Sequence, residues 1–252
     1  MSFFVPIISF FCYIWLNNVQ GGVLLSSVKQ ELDIVESEFM QIYLHEMYSL
    51  CEGINRECKE IFREATVPFG HNLLSVSPIL HSRIYSVLIY AANLKKLAFP
   101  SRHRKKNEGT GTYKLRNQRA DLFEEILNEL PIKEIKNSKV RNTLEHFDEY
   151  LDESNVKLDK KHNKEKLKDK HGFAAYNMAF SRWETFDRKV YPIRLYIAEE
   201  KKFYNLDWSI DIGEIDNEAR LILKRLNDLE LLKGKESGGL LIPLGVEQQE
   251  NE

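Results

Sequence analysis

Three polar side chains with catalytic potential stand close together in the stretch KVRNTLEHFDEYLDE, where Arg141, Asn142 and His146 follow the spacing R-N-x-x-x-H. An imidazole titrates near neutral pH, so it can take the proton of a ribose 2′-hydroxyl or donate one to a leaving 5′ oxygen. A guanidinium on the phosphate stabilises the negative charge of the transition state. If the side chains converge, this chemistry suits RNA cleavage without a metal ion.

A helix has to position these side chains. Residues four apart share a helix face, which places Asn142 beside His146 and Arg141 beside Glu145. Arg141 and His146 are five apart and diverge by about 140° around the axis. Only the length of the arginine side chain, or a fraying helix start, lets these two converge. We expect His146 to act as acid and base and Arg141 to clamp the phosphate. Asn142 would orient the imidazole, and Glu145 would assist.

One chain supplies one histidine in this motif, whereas attack by a 2′-hydroxyl works best with an acid and a base on opposite sides of the phosphate. A twofold homodimer with two copies of the helix face to face would build a composite groove that holds both. The plainer alternative is the polar side of an ordinary helix, in which Arg141 and Glu145 form an ion pair worth roughly 0.3 kcal/mol. The buried side would then hold Val140, Leu144, Phe147 and Leu151.

The same stretch closely resembles a known signature. RNTLEHFDEYLDE is similar to the R-N-x-x-x-H motif of HEPN domains, in the R-N-x-x-E-H-F-D-E-x-L-D form of a group of bacterial HEPN-like proteins. ILHSRIYSVLIYAANLKKLAFP, at 79–100, resembles the second helix of that group, and the likeness covers residues 32–152. Arg141, Asn142 and His146 match the polar positions of the motif, and Glu145 occupies an intervening position that is often polar or acidic.

The resemblance implies a helical bundle that dimerises through its motif helices. It also implies, for many members, metal-independent endoribonuclease activity in toxin–antitoxin, abortive-infection or RNA-processing roles. We therefore expect an RNA substrate, a second copy of the chain and an antitoxin protein as partners. The alternative is a non-catalytic HEPN-like nucleotide- or protein-binding module, in which Arg141 and His146 hold a phosphate. A membrane-tethered structural protein is a third possibility.

Apolar periodicity predicts long helices, and proline or glycine marks their ends. The predicted helices cover 26–63, 79–99, 113–130, 139–153 and 212–232. Residues 190–198 and 202–205 are β-prone and flank a polar turn, which predicts a small hairpin. The fold class expected is mainly α, an up-down HEPN-like helical bundle with a small C-terminal β-hairpin and helix.

The same patterns divide the chain into four parts. We expect an apolar N-terminal arm at 1–25, a helical bundle at 26–186, a hairpin and helix packed on the bundle at 187–233 and a loose tail at 234–252. The arm contains MSFFVPIISFFCYIWL, an apolar run shorter than the roughly 20 residues that span a bilayer. No lysine or arginine precedes Lys29, unlike in most secretory signals. A buried or partner-covered arm, an anchor-like or signal-like segment and a misassigned start all remain open.

The net charge of the chain limits which nucleic acids it can bind. With 36 basic against 38 acidic residues, the net charge is −2, so no global basic field favours DNA and any RNA contact has to be local. The stretch SRHRKKNEGTGT, at 101–112, predicts a mobile loop that follows RNA phosphates through Arg102, Arg104, Lys105 and Lys106. A lysine-dense segment at 160–168 is a second possible strip. Charge runs of this kind are often only solvated.

Metal and redox chemistry find little support in the sequence. Three cysteines match no metal-ligand spacing and are typical of reduced thiols in an intracellular protein: Cys12, Cys51 and Cys58. The acids that follow His146 are more typical of a solvated helix face than of a metal site. We therefore expect no metal and no cofactor, and a cytoplasmic protein, with membrane association through the arm left open.

Overall fold

The structure, a computed structural model, describes residues 38–66, 73–74, 78–159, 173–185 and 190–232, together with positions 234, 239, 240 and 242. The arm at 1–25, the lysine strip at 160–168 and most of the tail lie outside these ranges. The described helices are α1 Glu38–Glu64, α2 Pro78–Ala98, α3 Thr110–Ile126, α4 Lys139–Glu145, α5 Phe147–Leu158 and α6 Ile212–Asp228. The strands are β1 Leu73–Leu74, β2 Phe173–Phe180, β3 Val190–Ile197, β4 Lys202–Asn205 and β5 Trp208–Asp211.

Helix α1 forms because its apolar residues recur at alternating steps of four and three, which places them on one stripe. The stripe packs against α2 and α6. Gly53 does not interrupt this helix, which is continuous from Glu38 to Glu64. A side chain there would come within 3.0 Å of the Tyr90 ring, so glycine lets α1 and α2 approach closely. The buried stripe consists of Met40, Leu44, Met47, Cys51, Ile54, Cys58 and Ile61.

The structure contains a five-stranded mixed sheet, so the predicted fold class, a mainly α helical bundle, is wrong. The strand order is β1-β2-β3-β4-β5, with β2 and β3 parallel and the other pairs antiparallel. The hairpin expected at 190–198 and 202–205 is present as β3 and β4. However, β2 pairs with β3 along its whole length, and β5 extends the other side of the hairpin. The fold is therefore α+β rather than a helical bundle with a small β addition. Among the described helices, none is long and apolar enough to cross a membrane.

Both faces of the sheet are covered, which explains why β3 is an almost unbroken apolar run. On one face, Tyr196, Phe203 and Ile210 join the core formed by α1, α2 and α6. On the other face, Leu195 and Ile197 pack with Trp183, which lies in the connection between β2 and β3. Since β2 precedes residue 187 and β3 follows it, the sheet crosses the boundary that the sequence suggested.

A paired bulge interrupts the two parallel strands. Asn177 of β2 and Arg194 of β3 have φ angles of 56° and 59°, and their neighbours on either side remain in register. Positive φ is uncommon for residues other than glycine. Val190 and Leu195 share one apolar cluster although they are five positions apart, a spacing that puts residues on opposite faces of a regular strand. Arg194 is thus the extra residue that shifts the alternation of β3 and turns its own side chain towards α2 and α5.

The predicted helix at 139–153 is broken at His146, whose φ of −109° and ψ of 41° lie outside the helical region. Its N–H still donates to Asn142 O at 3.0 Å, and its carbonyl accepts from Tyr150 N–H at 3.2 Å. The two halves bury different surfaces, since α4 buries Val140 in the main core and α5 packs on Tyr191 and Ile193 of β3. One straight helix would not reach both surfaces.

Candidate functional site

Helices α2 and α4 and the bulge of β3 enclose a cavity of about 280 Å³. Its walls combine an apolar part with several charged side chains. Two of the four predicted catalytic residues, Arg141 and Glu145, line it, whereas Asn142 and His146 do not. The complete lining is Tyr85, Leu88, Ile89, Ala92, Asn93, Lys96, Arg141, Leu144, Glu145 and Arg194.

Arg141 is largely buried, with 22% of its side chain exposed. Its Nη2 donates to Asn142 Oδ1 at 2.8 Å and lies 3.5 Å from Glu145 Oε2. The helix ion pair considered as the plainer alternative is therefore formed. The Nε atom is buried and has no acceptor among the described residues. Arg141 thus has a free donor at a cavity wall in addition to its contacts within α4.

His146 lies away from this wall. Its side chain is 59% exposed, and Nδ1 is 3.9 Å from Glu149 Oε1, a contact that becomes an ion pair only when the imidazole is protonated. In the described part of the chain, no hydrogen bond joins the Asn142 side chain to the His146 ring, and Asn142 Oδ1 accepts from Arg141 instead. The orienting role expected for Asn142 is therefore not formed within one chain.

Arg194 is the functional candidate that sequence reasoning missed. Its guanidinium lies over the Phe147 ring, with Cζ 3.8 Å from the ring centroid, and 5.5 Å from the centroid of Tyr85. Its Nε is buried without an acceptor in the described ranges. The one available signal was a lone arginine within the apolar stretch VYPIRLYI.

A buried polar network ties α4 to the bulge. Asn205, which is fully buried, donates from Nδ2 to Thr143 Oγ1 at 2.8 Å and accepts at Oδ1 from the Arg194 N–H at 3.2 Å. Thr143 in turn donates to Val140 O at 2.6 Å. Thr143 lies between Arg141 and Glu145 in α4. Asn205 therefore fixes the position of the helix that carries Arg141 relative to the backbone of Arg194.

The segment before α4 is held by a second buried group, the carboxylate of Glu218 on α6. It accepts the backbone N–H groups of Glu134 and Ile135, each at 2.8 Å, and that of Lys133. A charged acceptor for three backbone donors gives strong hydrogen bonds. Glu218 therefore positions the chain that leads into α4.

The cavity has a positive electrostatic character. Burial, and next the charge of Arg141, lower the pKa of Lys95, which adjoins Lys96. Burial raises the pKa of Tyr85 although the charge of Arg194 opposes this, so the phenol is neutral at pH 7 and able to donate. Its hydroxyl is buried and has no partner within the described residues.

The predicted RNA-binding loop is folded onto α3 instead of extending freely. Arg102 pairs with Asp121 and with Glu124, and Arg104 donates to the carbonyl of Glu108 at 2.8 Å. Lys105 and Lys106 are exposed. Of the four basic residues predicted to follow phosphates, two are thus engaged within the chain, and none lines the cavity.

Glu108 and Arg116 explain the order of this loop. Both side chains are 7% exposed, and Arg116 donates to the two carboxylate oxygens at 2.9 and 2.8 Å. Arg116 also donates to His103 O at 3.0 Å. Arg116 and Asn117 form a second Arg-Asn pair in the sequence, and these contacts give its arginine a structural role.

Within the described ranges, no group of three or more His, Cys, Asp or Glu side chains is arranged to hold a metal ion. Comparison of the chain with protein-family models, with curated proteins and with solved structures finds no match. Function is therefore inferred from the chain's own residues.

Proposed function

We propose that this chain is a HEPN-type endoribonuclease that cuts RNA without a metal ion at a composite site formed by two copies. The observation that supports this most is the position of the motif arginine. Arg141 lines an open cavity and has a buried, unpartnered Nε, while His146 is exposed one residue beyond the cavity-lining Glu145. His146 is thus open to solvent, and the partly exposed Arg141 side chain is reached through the cavity.

In the proposed reaction, His146 takes the proton of a ribose 2′-hydroxyl, and the 2′ oxygen attacks the adjacent phosphorus. The bond from phosphorus to the 5′ oxygen breaks, and the leaving oxygen takes a proton from the partner subunit's His146. Arg141 stabilises the charge that develops on the phosphate oxygens. The products are a 2′,3′-cyclic phosphate and a 5′-hydroxyl end.

The dimer is part of the proposal because each chain provides one motif imidazole, that of His146. A twofold axis beside the break between α4 and α5 would bring two copies of His146 to one phosphate. Ile89 of α2, which lines the cavity and is 56% exposed, offers apolar contact to a second copy. A toxin–antitoxin or antiphage role, with an antitoxin protein as a further partner and no DNA substrate, completes the proposal.

The test is RNA cleavage by the purified full chain in EDTA. We expect the wild type to leave 2′,3′-cyclic phosphate ends and His146→Ala to lose about 10²-fold or more of the rate, because general acid–base catalysis contributes about 10²–10⁴-fold. His45→Ala, on α1 and away from the cavity lining, serves as the matched control and should cut at the wild-type rate. Equal cleavage by His146→Ala and the wild type would refute the proposal.

A second candidate is the non-catalytic HEPN-like binding module. It is favoured by the convergence of Lys96, Arg141 and Arg194 on a cavity that His146 does not line. In this case, RNA stays intact at high protein concentration, and Arg141→Ala loses binding of the phosphate-bearing ligand. Cleavage that depends on His146 would exclude this candidate.

A further inference from the structure

Three buried donor atoms that belong to cavity-lining residues lack partners among the described residues. They are the Nε atoms of Arg141 and Arg194 and the hydroxyl of Tyr85. A guanidinium can only donate hydrogen bonds, and although Arg141 donates from Nη2 to Asn142, the Nε atoms of both arginines still lack an acceptor. Burial of such donors is unfavourable unless an acceptor meets them. Three of them around one cavity indicate a ligand that carries several acceptor oxygens.

Charge specifies the ligand further. Lys96, Arg141 and Arg194 contribute three positive charges to the lining and Glu145 one negative charge, which leaves two positive charges. A phosphomonoester carries roughly −1.5 to −2 near pH 7, whereas each phosphate within an RNA strand carries a single negative charge. The lining therefore matches a terminal phosphate better than an internal one.

Volume and wall chemistry limit the rest of the ligand. At about 280 Å³, the cavity lies just below the roughly 300–1,000 Å³ of ordinary small-molecule sites, which is room for one nucleotide and not for several. The apolar part of the wall can accept a sugar or a base. It consists of Leu88, Ile89, Ala92 and Leu144.

Arg194 is held in place before any ligand binds. Its guanidinium is stacked on Phe147. Its backbone is held as well, since the backbone N–H donates to Asn205 Oδ1 and the carbonyl lies 3.0 Å from His81 Nε2. A side chain fixed in this way loses little freedom on binding, which increases affinity. The bulge of β3 thus presents a preorganised phosphate-binding side chain, Arg194, which lies outside the R-N-x-x-x-H motif.

We propose that this cavity is a subsite for the terminal phosphomonoester of one nucleotide, bound by Arg194, Arg141 and Lys96, with Tyr85 as a further donor. The phosphate belongs to a free mononucleotide or to the end of an RNA strand. The inference deepens the proposed function and rests on it where the ligand is RNA, since the cavity then anchors the end of the strand that the ribonuclease cuts.

Calorimetric titration of the full chain tests this subsite. The His146→Ala variant is used so that RNA ligands stay intact. The probes are AMP, adenosine, and one short oligoribonucleotide with a 5′-phosphate, a 3′-phosphate or no terminal phosphate. We expect AMP, or one phosphorylated oligonucleotide, to bind at least tenfold more tightly than its unphosphorylated counterpart. Preference for AMP identifies a mononucleotide site, and preference for a phosphorylated oligonucleotide identifies a strand end.

Substitutions of Arg194 and Lys96 test whether these residues bind the phosphate. Arg194→Gln should weaken binding of the preferred phosphorylated probe at least tenfold and remove the preference over the unphosphorylated one, and Arg194→Lys should recover part of it. Lys96→Gln changes an exposed residue that cannot affect folding strongly and should weaken binding by a smaller factor. The matched control, Arg63→Gln, alters an arginine that is 69% exposed on α1 and should bind as the parent does.

Equal binding of phosphorylated and unphosphorylated probes overturns the subsite even if the wild type cuts RNA. Unchanged binding in both Arg194→Gln and Lys96→Gln overturns it as well. The two proposals can also fail separately in the other direction. If binding depends on the phosphate but the wild type cuts no RNA, the ribonuclease proposal is refuted and the subsite proposal stands.

Discussion

The two arginines of the cavity reach it by different routes. Arg141 is placed by its position in α4, so its spacing to the motif histidine is visible in the sequence. Arg194 is placed by a bulge with a φ of 59°, which only the pairing of β2 with β3 creates. Asn205 joins the two, since it contacts Thr143 of α4 and the backbone of Arg194. At the scale of residues, the site thus depends on one buried amide that carries no functional signature.

The buried Glu108–Arg116 pair makes a pH-dependent contribution to stability. Hydrogen bonds from Arg116, and next from the backbone of Lys105, lower the pKa of Glu108 from 4.5 to about 2. Because the folded-state pKa lies below the unfolded one, the contribution is complete above about pH 4.5 and is lost as the pH falls towards 2. Urea denaturation should therefore show a gap between the wild type and Glu108→Gln that is constant at pH 6–8 and shrinks below pH 4.5. A gap of constant size down to pH 3 would contradict this assignment.

At the scale of elements, α4 is held by contacts just before its start and at its middle. Glu218 of α6 fixes the segment that enters it, and Asn205 of β4 fixes its middle through Thr143. The helix is only seven residues long, so it has little intrinsic stability of its own. Contacts with distant elements therefore determine where Arg141 points.

Glu218→Ala tests this dependence. The substitution leaves three backbone N–H groups without their buried acceptor, and we expect it to lower the free energy of unfolding by about 3–5 kcal/mol. Asn217→Ala, at the adjacent exposed position, is the matched control and should change stability by less than about 0.5 kcal/mol. Chemical denaturation of both variants measures the difference. A loss of similar size in the two variants would show that Glu218 has no special role.

At the scale of the whole molecule, one core joins the helices to the sheet. Side chains of α1, α2 and α6 share it with Tyr196, Phe203 and Ile210. The hairpin and last helix are therefore not an appendage of a separately stable bundle. The cavity lies where these layers meet, since α2, α4 and β3 all contribute to its wall.

This shared core predicts cooperative unfolding. Far-ultraviolet circular dichroism reports mainly on the helices. Tryptophan fluorescence reports largely on the sheet, because two of the three tryptophans, Trp183 and Trp208, lie in or beside it. In urea, both signals should change at the same midpoint because the two layers lose their packing together. An earlier fluorescence transition, with the helical signal intact, would indicate that the sheet unfolds as a unit of its own.

By itself, the sequence determined what depends on neighbours along the chain. The apolar spacing in α1, α2, α3 and α6 predicts helices because residues three and four apart share a face, and the β-prone runs around 199–201 predict the hairpin. Proximity of Arg141 to Glu145 follows from the same geometry. These features need no knowledge of the rest of the fold.

Only the tertiary structure decided the features that depend on distant partners. The segment FAAYNMAF of β2 has three alanines and little alternation, so its strand forms because β3 pairs with it. The break at His146 arises because α4 and α5 pack on different surfaces, and Arg194 reaches the cavity because a bulge turns it there. The spacing of residues along the chain does not predict such contacts. The free energy that stabilises them comes from burial and hydrogen bonding between residues far apart in the chain.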